Sequence, residues 1–395
     1  LLTDMTRSLF PSIRARALSL LERTRSHDII LAAVLLRLAF GLIWVLFVNA
    51  PPENVPVLGA TRESAGADGY LQIARTLLES GEYAFEPGGP PVHNRPPAQV
   101  ALLLLFAAWL PELWFVPWIA GSALLSLLML LAVRALAREL NAGLRGERIA
   151  LLLAGFHPYL LFISKTTTFI NLAALLLVAV AVAVLRIRRR PIAASASTGL
   201  LCGVGALTHG TFLLLPLLAA AYTLSLRALS WRLRVPAMLL PLLLAAVVVA
   251  PWTYRNFTTF HTPIPVVTGN GYHYWKGEAV YFGGDYPMAD VYRRATGKEF
   301  RERYYGAVDP AADAVLWEEA KKDMLARPWR IPQRLVIGSL AFFAPWDSSR
   351  AKALVSATLN LPLLVALGLA FVLRVEGAVD VDPAELVEQA RHPGT

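Results

Sequence analysis

IILAAVLLRLAFGLIWVLFV, residues 29 to 48, is a run of twenty residues with a single charge, Arg37, near its middle. A helix rises about 1.5 Å per residue, so a run of this length matches the roughly 30 Å hydrocarbon core of a bilayer. Inside that core every backbone N–H and C=O must be satisfied without water, and for a single segment only a helix does so. PAMLLPLLLAAVVVAPW, residues 236 to 252, has the same character, and several more runs follow it. The whole chain of 395 residues is 56% hydrophobic with a mean hydropathy of +0.51. These values predict an all-α polytopic membrane protein. The first run is longer than a signal-peptide core and nearly thirty residues precede it, so it reads as a retained anchor.

The net charge of +9 does not point to nucleic acid, because Lys and Arg cluster in short loops beside the apolar runs. That distribution is the mark of membrane topology. Cys202 is the only cysteine, which excludes an intramolecular disulfide, a CxxC pair and a cysteine zinc site. No GxxxxGK[ST], GxSxG or HExxH pattern occurs, so nucleotide hydrolysis, serine-hydrolase chemistry and a zincin site have no support.

Topology follows from the arginines. Residues 1 to 28 carry Arg7, Arg14, Arg16, Arg23 and Arg25 among leucines and read as a basic amphipathic cytoplasmic segment, so the first helix runs outward. The transmembrane core, 29 to 252, includes a first outer loop at 49 to 113. Within that loop DGYLQIARTLLESG and AQVALLLLFAAWL read as helices lying flat on the outer face. Helices at about 114–135, 147–164, 168–186, 194–209, 210–228 and 235–252 put the arginine pulses at 134–148, 186–190 and 227–234 all inside. Residues 253 to 330 then form an outer loop, 331 to 374 hold C-terminal membrane segments, and 375 to 395 are an acidic tail. The total is about 8 to 9 transmembrane helices. Whether 331–346 crosses or lies flat decides the side of the tail, and both options stand.

This topology gathers polar residues at the outer ends of the helices: Asp68, His93 and Arg95, then Lys165, His209, Arg255, Asn256 and Lys276. A cation on the outer rim needs an anionic partner or a path to solvent, and a lipid phosphate would be such a partner. Taken singly, each is as well explained as a snorkelling surface cation; taken together they favour a site. Asp68 stands before an amphipathic helix, where an acid caps the helix dipole, and a carboxylate there can also accept a proton from an acceptor hydroxyl. His157, beside Pro158, reads as a packed residue at a kink, and Arg37 reaches either the cytoplasmic edge or a helix carbonyl.

The order of motifs is similar to one family. D-x-Y-x-x-x-A (Asp68, Tyr70, Ala74), R-P-P at 95–97, H-P-Y-L-L, A-L-T at 206–208 and above all PWTYRNFTTFHTPIPVVTGNGYHYWKGE resemble the GT-C superfamily, nearest the ArnT and protein O-mannosyltransferase-like polytopic glycosyltransferases. The likeness covers about residues 28 to 278, and P-W-x-x-R-N is its most specific part. It implies a GT-C type helical bundle with juxtamembrane helices, an outer loop domain and an outward-facing active site, here in a bacterial inner membrane. It implies an undecaprenyl- or dolichyl-phosphate sugar as donor and a hydroxyl or phosphate as acceptor, with Asp68 as general base. By the same resemblance Arg255, Lys276, Arg95 and Lys165 hold the donor phosphate, and Tyr70, His93, His209, Asn256, Tyr272 and Trp275 contact substrate. Two departures stand out: SKTTTFIN carries Thr166, Thr167 and Thr168 where relatives have an acid, and His209-Gly210 follows A-L-T where relatives often have Arg-Pro. Lacking that second carboxylate, the site is expected to work without a metal or other cofactor. The rival readings are a lipid-linked sugar flippase, which would place ionisable residues and broken helices near the midplane, and a non-catalytic GT-C-like subunit.

Overall fold

A computed structural model of the chain describes residues 23–48, 69–110, 115–282, 287–299 and 309–343. Asp68, the stretch 1–22, the apolar run 353–373 and the acidic tail lie outside the described residues. Apart from one β-bridge between Ala84 and Pro91, all regular structure among the described residues is helical. The chain divides into two units, residues 1–269 with 302–310, and residues 270–301 with 311–395.

The first unit holds α1 (Ser26–Val48), α2 (Tyr70–Ser80), α3 (Pro97–Phe106), α4 (Phe115–Glu139), α5 (Gly143–Gly155), α6 (Pro158–Ser164), α7 (Ile170–Arg186), α8 (Pro191–Ala206), a 3-10 turn at Gly210–Leu214, α9 (Leu215–Ser225) and α10 (Trp231–Phe260). Among the described residues α1, α4 and α10 are long and apolar enough to cross a membrane, and α5 with α6 makes a fourth span if the bent pair counts as one. The protein is therefore a helical integral membrane protein. Proline marks many of the starts: Pro97, Pro158 and Pro191 open α3, α6 and α8, where the missing N–H costs no helix bond. Left-handed residues mark ends, with Asn141 (φ 53°) and Gly143 (φ 66°) between α4 and α5, and His261 (φ 52°) after α10.

The expected single helix at 147–164 is instead two, bent by 51° at Phe156 and His157. Pro158 has no N–H to give and its ring clashes with the preceding turn, so the last carbonyls of α5 are stranded. Arg37 supplies the donors: its Nη1 reaches Gly155 O at 2.5 Å and Ala33 O at 3.2 Å, and its Nη2 reaches Ala154 O at 3.1 Å. Only 3% of Arg37 is exposed. A helix C-terminus carries about half a negative charge, so the buried cation and the broken helix neutralise each other where either alone would cost several kcal/mol. Of the two destinations the sequence left open for Arg37, the structure shows the helix carbonyl.

Small residues bring α8 and α10 together. A Cβ added at Gly203 would stand 2.6 Å from Val248 Cβ, and one at Gly199 would stand 2.9 Å from the Pro241 backbone. Between lipid-embedded helices the hydrophobic effect is weak, so this close approach is what holds them. At one end of the unit the arginines do not simply face solvent. Arg134 and Arg138 each hold the buried Glu147 carboxylate at 2.9 Å, and Arg186 holds Glu139 at 2.8 Å, which ties α4, α5 and α7. The last helix runs past its expected end at 252 to Phe260, because Pro251 is accommodated inside it. Thirty residues make about 45 Å of helix, well beyond the roughly 30 Å of hydrocarbon, and the P-W-x-x-R-N segment rides on its final turns.

The second unit consists of α11 (Asn270–Phe282), α12 (Met288–Thr296), α13 (Pro310–Ala326) and α14 (Arg330–Phe343). The Tyr272 N–H donates to Asp313 Oδ1 at 2.9 Å and Trp275 Nε1 to Leu316 O at 3.0 Å, which lays α11 along α13. Glu278 receives Arg330, Arg334 and, at 3.5 Å, Arg327. The Tyr274 hydroxyl donates to Asp323 at 2.7 Å; burial first and then that carboxylate push its pKa up to about 12.

The α8–α10 contact yields a measurable expectation. Gly203→Leu should lower thermal stability by about 1–3 kcal/mol or more through overpacking, measured by unfolding in micelles. Gly210→Ala, where the new Cβ would meet Val267 at an ordinary 3.4 Å, should leave it nearly unchanged.

Candidate functional site

The final turns of α10 staple the chain that returns from them. His261 reverses the direction, and then Trp252 Nε1 donates to Val266 O at 2.8 Å and Thr253 Oγ1 to Pro265 O at 2.7 Å. Asn256, fully buried, gives its Nδ2 to Ile264 O at 3.2 Å and Val266 O at 3.3 Å. The P-W-x-x-R-N pattern thus has a local structural cause: Trp, Thr and Asn at these offsets lie along the side of the helix that the returning strand covers.

Arg255 faces a different neighbour. Its Nη1 donates to Val92 O at 2.9 Å and to Asn256 Oδ1 at 3.0 Å. Its guanidinium carbon lies 4.9 Å from the Trp252 ring centre and 5.3 Å from those of Tyr83 and Phe260. Both hydrogens of Nη1 are therefore spent, while Nε and Nη2 donate to nothing among the described residues. The parallel N–H groups of Nε and Nη2 on one edge of a half-buried guanidinium make the two-pronged fork that a phosphate or carboxylate matches.

Around this arginine the segment 83–99 is folded into place. Val92 N donates to Tyr83 O at 2.9 Å and the Tyr83 hydroxyl to Arg95 O at 3.0 Å. Burial and then the neighbouring Tyr70 hold the Tyr83 phenol well above its ordinary pKa, against the pull of Arg255 and Arg95, so it stays a neutral donor. His93 Nδ1 pairs with Thr268 Oγ1, its carbonyl accepts from Thr268 N at 3.4 Å, and its ring meets Phe260 edge-on at 5.3 Å. Arg95 lies over the Tyr70 ring at 5.6 Å; Tyr70 meets Phe169 at 6.1 Å, and Phe169 stacks on His209 at 4.8 Å. His209 Nδ1 also meets Thr211 Oγ1 at 2.9 Å and caps the 3-10 turn. Six of the expected site residues, Tyr70, His93, Arg95, His209, Arg255 and Asn256, thus share one polar and aromatic layer.

Lys165 sits at the turn between α6 and α7, buried, with its Nζ 3.9 Å from the Phe162 ring centre and 5.8 Å from that of Phe40. The threonines that follow it are structural. Thr166 O accepts from Trp118 Nε1 at 3.1 Å, Thr167 O accepts from Gln99 Nε2 at 2.8 Å, and the Thr166 and Thr168 hydroxyls meet at 3.1 Å. The backbone carbonyls of Thr166 and Thr167 thus anchor α4 and α3. Tyr272, Trp275 and Lys276 belong to the second unit. There the Tyr272 amide and the Trp275 indole bind α13, and the exposed Lys276 has its Nζ 5.8 Å from the Tyr272 ring centre.

Residues not anticipated from the sequence complete the layer: Tyr83, Phe169, Thr268 and Gln99. Only Gln99 carried a signal, as the one polar side chain in the apolar helix α3, and it is fully buried. An apolar groove of about 700 Å³ runs between α8, α9 and α10 from Cys202 to Pro263, passing Val249, Thr253 and Phe257. No family model, no characterised protein and no solved structure matches this chain.

Asn256→Ala removes the donor shared by two buried carbonyls, which costs about 1–3 kcal/mol. Hydrogen exchange should rise about tenfold or more in peptides covering 262–268, with exchange in α8 unchanged.

Proposed function

We propose that the protein is a polyprenyl-phosphate-sugar-dependent glycosyltransferase of GT-C type, with about 8 to 9 transmembrane helices and its site on the outer face of a bacterial inner membrane. The observation that carries this reading is Arg255, whose Nη1 is fixed by Val92 and Asn256 while its Nε and Nη2 donate to nothing among the described residues. A rigidly held fork of this kind suits a phosphate that must be gripped as negative charge builds on it. The apolar groove beside α10 has the character needed for a prenyl tail, and Arg95 and His209 lie in the same layer as the fork.

In the reaction an acceptor oxygen attacks the anomeric carbon from the face opposite the leaving group. The bond from that carbon to the phosphate oxygen breaks, and its electron pair leaves on the polyprenyl phosphate. Asp68 takes the acceptor proton, and the product has inverted configuration. The phosphate is a good leaving group, so cations suffice and no strong acid is required. The proposed step uses no metal.

A second reading has one observation in its favour: the broken helix α5–α6 with Arg37 at the bend is the kind of feature that lipid-linked sugar transporters build on. One experiment separates the two. Purified full-length protein in lipid is given labelled undecaprenyl-phosphate sugars and membrane-derived acceptors, with and without chelator. Transfer is expected in both, lowered about 10²- to 10⁴-fold by Asp68→Asn. Arg255→Lys, which keeps the charge and loses the fork, should lower kcat/KM about 10- to 100-fold. Unchanged transfer in Asp68→Asn removes the base, loss in chelator removes metal independence, and donor that crosses the bilayer uncleaved establishes transport instead.

A further inference from the structure

The second unit has two kinds of surface. Over α12 and most of α13 it shows charge: Arg293, Arg294 and Lys298, then Glu318, Lys321 and Lys322 are exposed, as on a water-facing domain. From the end of α13 onward this changes. Leu325 is 83% exposed, Leu335 68% and Val336 59%, with Trp329 and Ile331 beside them. At 100° per residue Ile331, Leu335 and Val336 fall within an arc of about 140° on α14, and Arg330 and Arg334 both fall outside that arc. The side that carries the arginines is committed to α11, since both arginines bind Glu278, Arg334 covers the Tyr274 ring at 3.7 Å and Arg330 the Phe282 ring at 4.4 Å.

We propose that the row Leu325, Trp329, Ile331, Leu335 and Val336 is the membrane-contact surface of the second unit, seated at the boundary of headgroups and acyl chains of an anionic bilayer. Over its described length α14 lies in the plane of that interface and does not cross. Three observations commit the row to lipid. First, only residues 261–269 separate the end of α10 from α11, so at full stretch the unit is tethered within about 30 Å of a membrane-spanning helix. A bilayer is always at hand. Second, α14 has fourteen described residues, about 21 Å of helix, and crossing would drag Arg330, Arg334 and Glu278 into hydrocarbon together. Third, Arg327, Arg330 and Arg334 outnumber Glu278 and Asp323 by three to two, and this excess positive charge flanks the apolar row, as in helices that lie on anionic lipid. Trp329 adds the indole that favours this depth.

This inference does not depend on the proposed reaction, and its test reads depth instead of activity. Full-length protein with Cys202→Ala takes single cysteines at Leu325, Leu335 and Val336, and at Lys321 and Arg294 as water-facing references. Each variant is checked for parental unfolding, spin-labelled and reconstituted in phosphatidylcholine–phosphatidylglycerol vesicles. Power saturation should show labels at 325, 335 and 336 relaxed by oxygen more than by a water-soluble nickel chelate, at depths of about 5–10 Å below the phosphates. Labels at 321 and 294 should show the reverse. Three results overturn the proposal: nickel access at 335 equal to that at 321, which means water; exclusion of both reagents, which means cover by protein; or a depth near the bilayer centre, which means a crossing helix.

Discussion

A peptide group in hydrocarbon has no water to turn to, and every departure from unbroken helix in the first unit is organised by that constraint. The break at Pro158 strands carbonyls, and Arg37 from another helix meets them. The turn after α6 would strand two more, and Gln99 and Trp118 reach in from α3 and α4. After α10 the chain leaves helix again, and Trp252, Thr253 and Asn256 take its carbonyls one by one. Side chains that look like candidates for chemistry because they are polar in an apolar chain are in several cases present to complete the backbone.

The same accounting sharpens the site. A guanidinium has five N–H donors, and Arg255 spends two on Val92 and Asn256, which fixes its plane and leaves three without an acceptor among the described residues. Asn256, its neighbour in sequence, gives its Nδ2 to Ile264 O and Val266 O and accepts from Arg255 at its Oδ1, so it closes the loop and also holds the guanidinium. The two adjacent residues have different shares in the fold and in the candidate site, and their substitution should not be read alike. Arg255→Lys tests recognition, whereas Asn256→Ala tests the loop on which recognition is mounted.

Much of the bundle was legible from apolar run lengths and arginine pulses. The helices at 170–186, 191–206 and 210–225 lie within a few residues of expectation, and so do the two short helices of the first loop, now seen as α2 and α3. The sequence also implied that His93, Arg95, His209 and Arg255 share a level, since the arginine pulses set the direction of each helix and so which helix ends lie together. The 51° bend was harder to read, because a proline flags a kink without giving its angle, and the angle depends on a partner 118 positions away in the chain. Tyr83 and Phe169 were missed for a similar reason. Aromatic residues are common in membrane chains, and only tertiary packing sets one of them against a particular arginine. By the family resemblance the three threonines read as a departure from an acid; the backbone of two of them, Thr166 and Thr167, which no sequence pattern displays, is what the fold uses.

Among the described residues Arg37 is balanced by amide oxygens and by no carboxylate. Amide oxygens do not gain or lose protons in any pH range a cell meets. The clamp at the bend is therefore blind to proton concentration, and a pH gradient across the membrane can neither tighten nor release it.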